Sequence, residues 1–243
     1  MERIIINNIS KKFRIGCNRN TSFLAKTLSF FSGKEAKRTI DVLKNVSIKV
    51  NPGEIVGIIG DNGSGKSTLL RIIAGIYEPD SGEIIIRGKT VSLINLSAGL
   101  KERLTMKENI FLVSSLFGLS YSEIKKKFNS IVSFSELNSF LNTKLYQFSS
   151  GMLQRVAFSV AVHSNPDILL LDEVFEVGDE NFRKKSAEKI KKLVTEGCSA
   201  ILVSHDKEII KKYCDRVVWL EEGKINKIGE PADIFDKYVK SSI

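Results

Sequence analysis

The chain is poor in features that would place it outside the cell or across a membrane. Its 243 residues include 3 cysteines, which are far apart and fit neither a disulfide framework nor a zinc-binding spacing. No apolar run of about 18 residues or more is present, which excludes a membrane-spanning helix. The first ten residues carry Glu2, Asn7 and Asn8 and lack the basic start and apolar core of a secretory signal. We therefore expect a cytosolic chain with reduced thiols.

Acidic residues are fewer than basic ones, with 28 Asp and Glu against 37 Lys and Arg, so the formal net charge is +9. Much of the excess lies within residues 11–40, where Glu35 is the single acidic residue. The basic residues of this stretch are Lys11, Lys12, Arg14, Arg19, Lys26, Lys34, Lys37 and Arg38. A basic surface of this kind suits nucleic acid or an anionic membrane face. The alternative is a basic loop that is exposed to solvent.

The most informative segment is GDNGSGKST at residues 60–68, which we call the phosphate loop. Strand-like IVGII (55–59) precedes it, and helix-like LLRIIAG (69–75) follows it. The segment satisfies the pattern G-x-x-x-x-G-K-[ST], in which glycines let backbone N–H groups converge on phosphate oxygens at a helix N-terminus. The alternative is a glycine turn that contains a lysine by chance.

Each side chain of this loop has an expected task. Lys66 should reach the β- and γ-phosphates of a nucleotide, and the Ser67 hydroxyl should bind Mg²⁺. The other residues expected to contact the nucleotide are Gly60, Asn62, Gly63, Ser64, Gly65 and Thr68. The sequence therefore predicts ATP and Mg²⁺ as ligands.

Strand and helix patterns alternate along the chain, which indicates a mainly parallel sheet. Strands are expected at 2–9, 42–50, 55–59, 83–86, 168–172 and 200–205. Helical texture with polar interruptions extends over about 97–165, so an all-helical insertion should separate two strands of the sheet. A helix is expected over 181–196, followed by a hairpin that turns at Glu222–Gly223 and a short amphipathic helix, PADIFDKYV.

The segment DILLLDE (167–173) carries two acids after an apolar run. A buried strand that delivers carboxylates at its C-terminal end is where open α/β sheets bind ligands. Asp172 should hold Mg²⁺, and Glu173 should polarise the attacking water as general base. The alternative is an exposed acidic turn after a core strand.

Two further motifs have candidate roles. In FSSGM (148–152), Ser149, Ser150 and Gly151 precede a helical pattern and suit an anion site at a helix N-terminus, or else an ordinary serine N-cap. His205 ends a predicted strand and is expected to donate a hydrogen bond to a γ-phosphate, although a structural role is the alternative. His163 is given no role.

The order of these motifs resembles the ATP-binding subunit of ABC transporters over essentially the whole chain. The resemblance implies an α/β fold over residues 1–243 as one domain: a P-loop NTPase core with a mixed, mainly parallel sheet, an antiparallel N-terminal β portion and the all-helical insertion. It also implies a head-to-tail homodimer, in which Ser149 and Gly151 contact the γ-phosphate bound to the partner subunit. Asp179 falls at the family's D-loop aspartate, and Phe13 resembles the aromatic residue that stacks on adenine.

Several details are similar to the branch that exports O-antigen, capsular polysaccharide or teichoic acid. They are the signature SSGM, the strings DEVFEVGD and CDRVVWLEEGKI, and a long basic insertion at about 14–41. This similarity implies an ATPase that powers export of a lipid-linked polysaccharide through a membrane permease, at the cytoplasmic face of the inner membrane. Two departures stand out: Asn95 or Leu96 occupies the place of the usual glutamine, and Glu176 replaces a small residue.

Other functions stay open. The chain could serve another ABC transporter, or a soluble ABC ATPase that acts on nucleic acid or ribosomes. We expect no nucleic acid partner, because the stretch between the phosphate loop and FSSGM is short and carries no heptads.

Within the basic insertion, residues 21–31 place apolar side chains on one helical face, which suits either a core helix or a helix at an anionic membrane surface beside the permease.

Overall fold

We describe the fold from a computed structural model, which covers residues 1–15, 38–94, 99–172, 179–204 and 206–241. The strands are β1 (Ile4–Ile15), β2 (Arg38–Val50), β3 (Ile55–Ile59), β4 (Ser81–Ile86), β5 (Thr90–Leu93), β6 (Ile168–Asp172), β7 (Ser199–Val203), β8 (Arg216–Glu221) and β9 (Lys224–Gly229). The α-helices are α1 (Lys66–Ile73), α2 (Met106–Leu116), α3 (Tyr121–Ser135), α4 (Ser150–Val162), α5 (Glu180–Thr195), α6 (Lys207–Tyr213) and α7 (Pro231–Ser241).

The strands form two sheets. The first is antiparallel, with the order β2-β1-β4, and the second has the order β5-β6-β7-β3-β8-β9. From β5 to β8 every neighbouring pair of the second sheet is parallel, and β9 joins β8 as an antiparallel hairpin. The apolar runs of β3 and β7 are buried along their whole length, as expected for strands covered on both faces. The expected mainly parallel sheet and the hairpin after Glu221 are therefore confirmed.

The first two strands are longer than the sequence pattern predicts. The β1–β2 ladder continues past the expected strand end, with Lys12 opposite Asp41 and Phe13 opposite Ile40. Because cross-strand pairing continues, both outer ends of the predicted basic insertion at 14–41 belong to strands. Residues 16–37 lie outside the described residues, so the helix expected at 21–31 stays a prediction.

Two short elements are absent from the sequence prediction. Strand β5 has four residues, too few for its alternation to stand out, and its strand identity depends on pairing with β6. Helix α6 has seven residues and is capped by Asp206, whose carboxylate accepts hydrogen bonds from the backbone N–H groups of Glu208 and Ile209. Both elements owe their stability to neighbours in the fold more than to local pattern.

The all-helical insertion lies between β5 and β6, where the sequence predicts it. Capping boxes begin two of its helices: Thr105 pairs with Glu108 at α2, and Ser120 pairs with Glu123 at α3. A small core formed by α2, α3 and α4 holds the three helices together, with Met106 among its fully buried members. Helix α4 also contributes Phe158 to the larger core against the parallel sheet, and so joins the insertion to the rest of the molecule.

Two larger cores lie on opposite faces of the parallel sheet. One packs α4, α5 and α7 against the sheet, and the other encloses α1 between the parallel sheet and the antiparallel sheet. Leu69 and Leu70 of α1 are fully buried in the second core. Helix α1 is therefore held from both sides, which places its N-terminus at the carboxyl ends of the central strands.

Two features of the described ranges concern the apolarity of the helices and the state of the cysteine thiols. None of the helices in these ranges is both long enough and apolar enough to cross a membrane. Cys198 and Cys214 are free and buried, and burial raises the pKa of each thiol to about 12. These two side chains are therefore packing groups at neutral pH and not reactive thiolates.

Replacing Phe182 by alanine should lower the free energy of unfolding by about 3–5 kcal/mol, because a fully buried ring leaves the core. The Phe182 ring packs edge-on against Phe134 and Phe158, at centroid distances of 5.8 and 5.9 Å. Urea unfolding followed by circular dichroism measures the loss. The matched control is Phe140→Ala, since that ring is 39% exposed. Equal losses in both variants would contradict the assigned core.

Candidate active site

The phosphate loop connects β3 to α1 and opens into a pocket of about 350 Å³ at the carboxyl ends of the parallel strands. Six of the eight phosphate-loop residues that the sequence assigns to nucleotide binding line this pocket. The lining residues are Val42, Asn62, Gly63, Gly65, Lys66, Ser67, Thr68, Asp172 and Val203. The structure therefore brings together a lysine, two hydroxyls at a helix start and a carboxylate from β6.

The path of the loop depends on glycine at its two ends. Gly60 has φ 147° and Gly65 has φ 107°, a region that side-chain-bearing residues rarely adopt. A Cβ at Gly60 would lie 2.0 Å from the carbonyl oxygen of Leu220, and one at Gly65 would lie 2.9 Å from that of Val42. The backbone of the loop therefore packs directly against β8 and β2, with no room for side chains between them.

Lys66 is 7% exposed and is anchored to its own loop. Its Nζ donates to the carbonyl oxygens of Gly60 at 2.7 Å and Asp61 at 2.9 Å. The carbonyl of Asp61 also accepts from the backbone N–H of Ser64 at 3.1 Å, so the lysine closes a compact turn. The Lys66 ammonium, held at the N-terminus of α1, gives the pocket a positive potential, which favours binding of phosphate.

Asp172 is the last residue of β6 and pairs with Val203 at the end of the neighbouring strand β7. It lines the same pocket as Ser67, so the lining of the pocket includes one carboxylate and one hydroxyl. Within the described ranges no group of three or more acidic, histidine or cysteine side chains offers a complete metal cage. Two protein oxygens fit Mg²⁺, which completes its shell with water and phosphate oxygens.

Several predicted residues lie outside the described ranges. Glu173 follows Asp172 in the chain, and His205 follows Ser204, so their catalytic roles stay predictions. The same holds for Asn95, Leu96 and Glu176.

The signature residues do not line the pocket. Ser149 caps α4, and its hydroxyl accepts from the backbone N–H of Met152 at 3.3 Å, which is the ordinary N-cap that the sequence left as the alternative. Ser149 and Ser150 are exposed, and a Cβ at Gly151 would have as its nearest neighbour the Ser149 hydroxyl, at 4.0 Å. This helix start therefore presents an open polar surface away from the phosphate loop of its own chain.

Asp179 also lies outside the pocket, where it joins two parts of the fold. Its carboxylate caps α5 by accepting from the backbone N–H of Phe182 at 2.9 Å, and it pairs with Arg155 of α4 at 2.6 Å. The hydrogen bond from Phe182 first, and then the Arg155 guanidinium, hold the pKa of Asp179 below its usual value. Arg155 also pairs with Glu136 at 3.2 Å, so one guanidinium connects α3, α4 and α5.

Phe13 is half-buried on β1 and does not line the pocket. Its ring packs edge-on against Tyr77 at 5.4 Å, with Lys11 Nζ at 5.7 Å from the ring centre. Its contact with adenine stays a prediction.

The structure adds contacts that the sequence did not reveal. The backbone N–H of Gly223 donates to the carbonyl of Ser64 at 3.1 Å, and the hydroxyl of Tyr238 donates to the Asp61 carboxylate at 2.6 Å. Val42, which lines the pocket, comes from β2 in the other sheet. Local pattern did not predict these contacts, because each of these residues meets the loop only through the tertiary fold.

A strand, glycine loop and helix, with a carboxylate from an adjacent parallel strand, define the P-loop class of nucleotide-binding α/β proteins. Comparison with known families narrows this class. The family model described as "ABC transporter" matches residues 43–176, which is more than half of the chain. The chain therefore belongs to the ABC transporter family.

Its relatives include export proteins of bacteria. The chain is 37% identical to the O-antigen export system ATP-binding protein RfbB of Myxococcus xanthus, over 98% of this chain and 56% of that protein. It is 40% identical to the teichoic acids export ATP-binding protein TagH of Lactococcus lactis, over 96% of this chain and 49% of that protein. The chain thus spans about half the length of these relatives. The resemblance to the exporter branch is confirmed.

Solved structures confirm the fold. An ATP-binding subunit of an ABC transporter matches with a TM-score of 0.78 and 26% identity, over 97% of this chain and 92% of that one. A dimeric bacterial ABC transporter cassette matches with a TM-score of 0.75 and 28% identity, over 94% of this chain and 98% of that one. The expected ABC ATPase fold, with its antiparallel N-terminal sheet and helical insertion, is therefore correct.

Replacing Lys66 by alanine should weaken nucleotide binding roughly tenfold to a hundredfold, because hydrogen bonds from a charged group to phosphate are lost. Isothermal titration calorimetry with ATP and with ADP measures the dissociation constants. The matched control is Lys126→Ala, which removes an exposed lysine of α3. Unchanged affinity in the Lys66 variant would refute the assignment of this pocket to phosphate.

Proposed function

We propose that the chain binds ATP with Mg²⁺, hydrolyses it, and powers export of a lipid-linked polysaccharide through a membrane permease. The observation that carries this proposal is the convergence of Lys66, Ser67 and Asp172 on one pocket at the carboxyl edge of the sheet. We infer the class of exported polymer from the relatives, whose names assign them to export of O-antigen or teichoic acids.

Different residues of the pocket would bind the phosphates of the nucleotide and its Mg²⁺. Lys66, whose ammonium the carbonyls of Gly60 and Asp61 hold at the pocket, would donate to the β- and γ-phosphates. The N–H groups of the loop and of the start of α1 would bind the remaining phosphate oxygens. Ser67 and Asp172 would hold Mg²⁺, which when bound supplies positive charge that neutralises the phosphates.

Hydrolysis would use Glu173, the residue after Asp172. Its carboxylate would accept a proton from the attacking water, whose oxygen forms a bond to the γ-phosphorus. The bond from that phosphorus to the bridging oxygen breaks, and the products are ADP and inorganic phosphate. His205 would donate a hydrogen bond to a γ-phosphate oxygen and so stabilise the developing charge.

A second copy of the chain would complete each site. Ser149, Ser150 and Gly151 lie on an open surface and do not line the pocket of their own chain, which suits contact with a nucleotide held by a partner. Asp179 caps α5 and pairs with Arg155 of the signature helix α4. A solved relative of the same fold is described as a dimer. We therefore propose a head-to-tail homodimer.

The permease would hold the dimer at the cytoplasmic face of the inner membrane, as a peripheral subunit. The basic residues of the predicted insertion at 14–41, among them Arg19, Lys34, Lys37 and Arg38, would face the anionic membrane surface or the headgroup of the lipid-linked polymer. The exporter names of the relatives favour this role over a soluble ATPase acting on nucleic acid or ribosomes, and over another transporter class.

Replacing Glu173 by glutamine should leave ATP binding intact and nearly abolish hydrolysis, because the amide keeps the shape and loses the base. In the native host, the same change should remove the surface polysaccharide. Phosphate release by the purified protein and surface glycan per cell are the two measurements.

Glu188→Gln on the exposed face of α5 is the matched control and should leave both quantities unchanged. Full turnover in the Glu173 variant would reject the general-base role. Lost hydrolysis with normal surface polysaccharide would instead reject the export function.

Replacing Gly151 by aspartate should spare ATP binding to the monomer, since the position has room for a side chain. The new charge should repel the γ-phosphate bound to the partner, so ATP-driven dimerisation should fail. Gel filtration with ATP and calorimetry measure the two effects, and Gly151→Ala is the control.

A mixed dimer of Gly151→Asp and Lys66→Ala subunits should keep one intact site, because both changes then fall on the same nucleotide. We expect it to hydrolyse ATP, whereas either variant alone should not. An inactive mixed dimer would show that the signature serves its own subunit.

A further inference from the structure

The phosphate loop is held from outside by the carboxyl-terminal part of the chain at two places. The turn between β8 and β9 binds the far end of the loop, where the Gly223 N–H donates to the Ser64 carbonyl at 3.1 Å. Helix α7 binds the near end, where the Tyr238 hydroxyl donates to Asp61 Oδ1 at 2.6 Å. Between these two anchors, Asn62 and Gly63 are exposed at the crest of the loop.

The residue that Tyr238 holds is linked directly to the lysine of the pocket. Asp61 uses its side chain to accept from Tyr238 and its carbonyl to accept from Lys66 Nζ at 2.9 Å. The same carbonyl also accepts from the Ser64 N–H, so the hydrogen bonds from Tyr238, Lys66 and Ser64 all end on Asp61. A shift of the Asp61 backbone would therefore move the acceptor that holds the lysine.

Tyr238 is itself held in place by the core. Its ring packs edge-on against Trp219 at 5.5 Å, and Trp219 is 5% exposed in β8, beside β3. Ile234 and Phe235 bury the inner face of α7 against the sheet. Burial, together with the hydrogen bond to Asp61, raises the pKa of Tyr238 to about 12, so the hydroxyl stays protonated and able to donate at physiological pH.

We propose that Tyr238 is a positioning residue for nucleotide binding, which acts through Asp61 to keep the phosphate loop and Lys66 in the binding conformation. This inference depends on the proposed binding of nucleotide at the loop. Without the bond, the free loop would sample more conformations, and binding would have to order them. The carboxyl-terminal helix thereby contributes to nucleotide affinity although it does not line the pocket.

The test is Tyr238→Phe, which keeps the ring on Trp219 and removes only the hydroxyl. We expect the dissociation constants of ADP and ATP, measured by calorimetry, to rise about threefold to tenfold, the range that one hydrogen bond supports. The KM for ATP should rise by the same factor while kcat stays nearly constant. Tyr121→Phe, at an exposed tyrosine of the helical insertion, is the matched control and should change neither quantity.

A double-mutant cycle that combines Tyr238→Phe with Asp61→Ala tests whether Tyr238 acts through Asp61. If Tyr238 acts through Asp61, the loss in the double variant should be clearly smaller than the product of the two single losses. Losses that multiply would overturn the proposal. A merely structural role would lower the thermal midpoint without nucleotide and leave the dissociation constants unchanged, and that result would also overturn it.

Titration of the wild-type chain with ADP and ATP distinguishes a failure of nucleotide binding from a failure of the proposed role of Tyr238. If the wild-type chain binds neither ADP nor ATP, nucleotide binding at this loop fails and the role of Tyr238 falls with it. If the wild-type chain binds and Tyr238→Phe binds equally well, the role of Tyr238 alone is refuted.

Discussion

The contact between the phosphate loop and the end of β8 constrains the whole site. Gly60 lies so close to the Leu220 carbonyl that a single Cβ would meet it at 2.0 Å. This approach is possible because β3 pairs directly with β8 in parallel, with Ile59 opposite Trp219. The loop therefore leaves the sheet at its centre, where neighbouring strands support it on both sides. The pocket and the helix start that faces it both follow from this packing.

A second constraint concerns how the helical insertion is attached. Helix α4 anchors it through apolar packing, with Phe158 in the core against the sheet and Val160 in the core of the insertion. Beside this apolar contact, Arg155 reaches Asp179 and Glu136 through ion pairs that are partly exposed. Exposed ion pairs of this kind contribute far less to stability than the buried rings do, because water screens the charges. The joint between the insertion and α5 is therefore held more weakly than either core.

Much of the fold follows from local pattern. The apolar run IVGII, followed by the glycine loop, specifies β3 and the start of α1, and ILLLD specifies the buried strand β6. The capping pair Thr105 and Glu108 sets a helix start within the helical insertion. Local pattern failed for β5, which has four residues and depends on its neighbour, and for the full length of β1 and β2, which depends on their mutual pairing.

The sequence by itself determined which chemical groups the pocket holds, since residue types and their spacing supply the ammonium of Lys66, the hydroxyl of Ser67 and the carboxylate of Asp172. Tertiary structure alone decided which distant segments meet that loop. Asp61 and Tyr238 are far apart in the chain, and their hydrogen bond exists because β8 carries the chain back beside β3. Spacing encodes contacts within one element, whereas contacts between elements depend on strand order, which burial of the whole apolar surface selects.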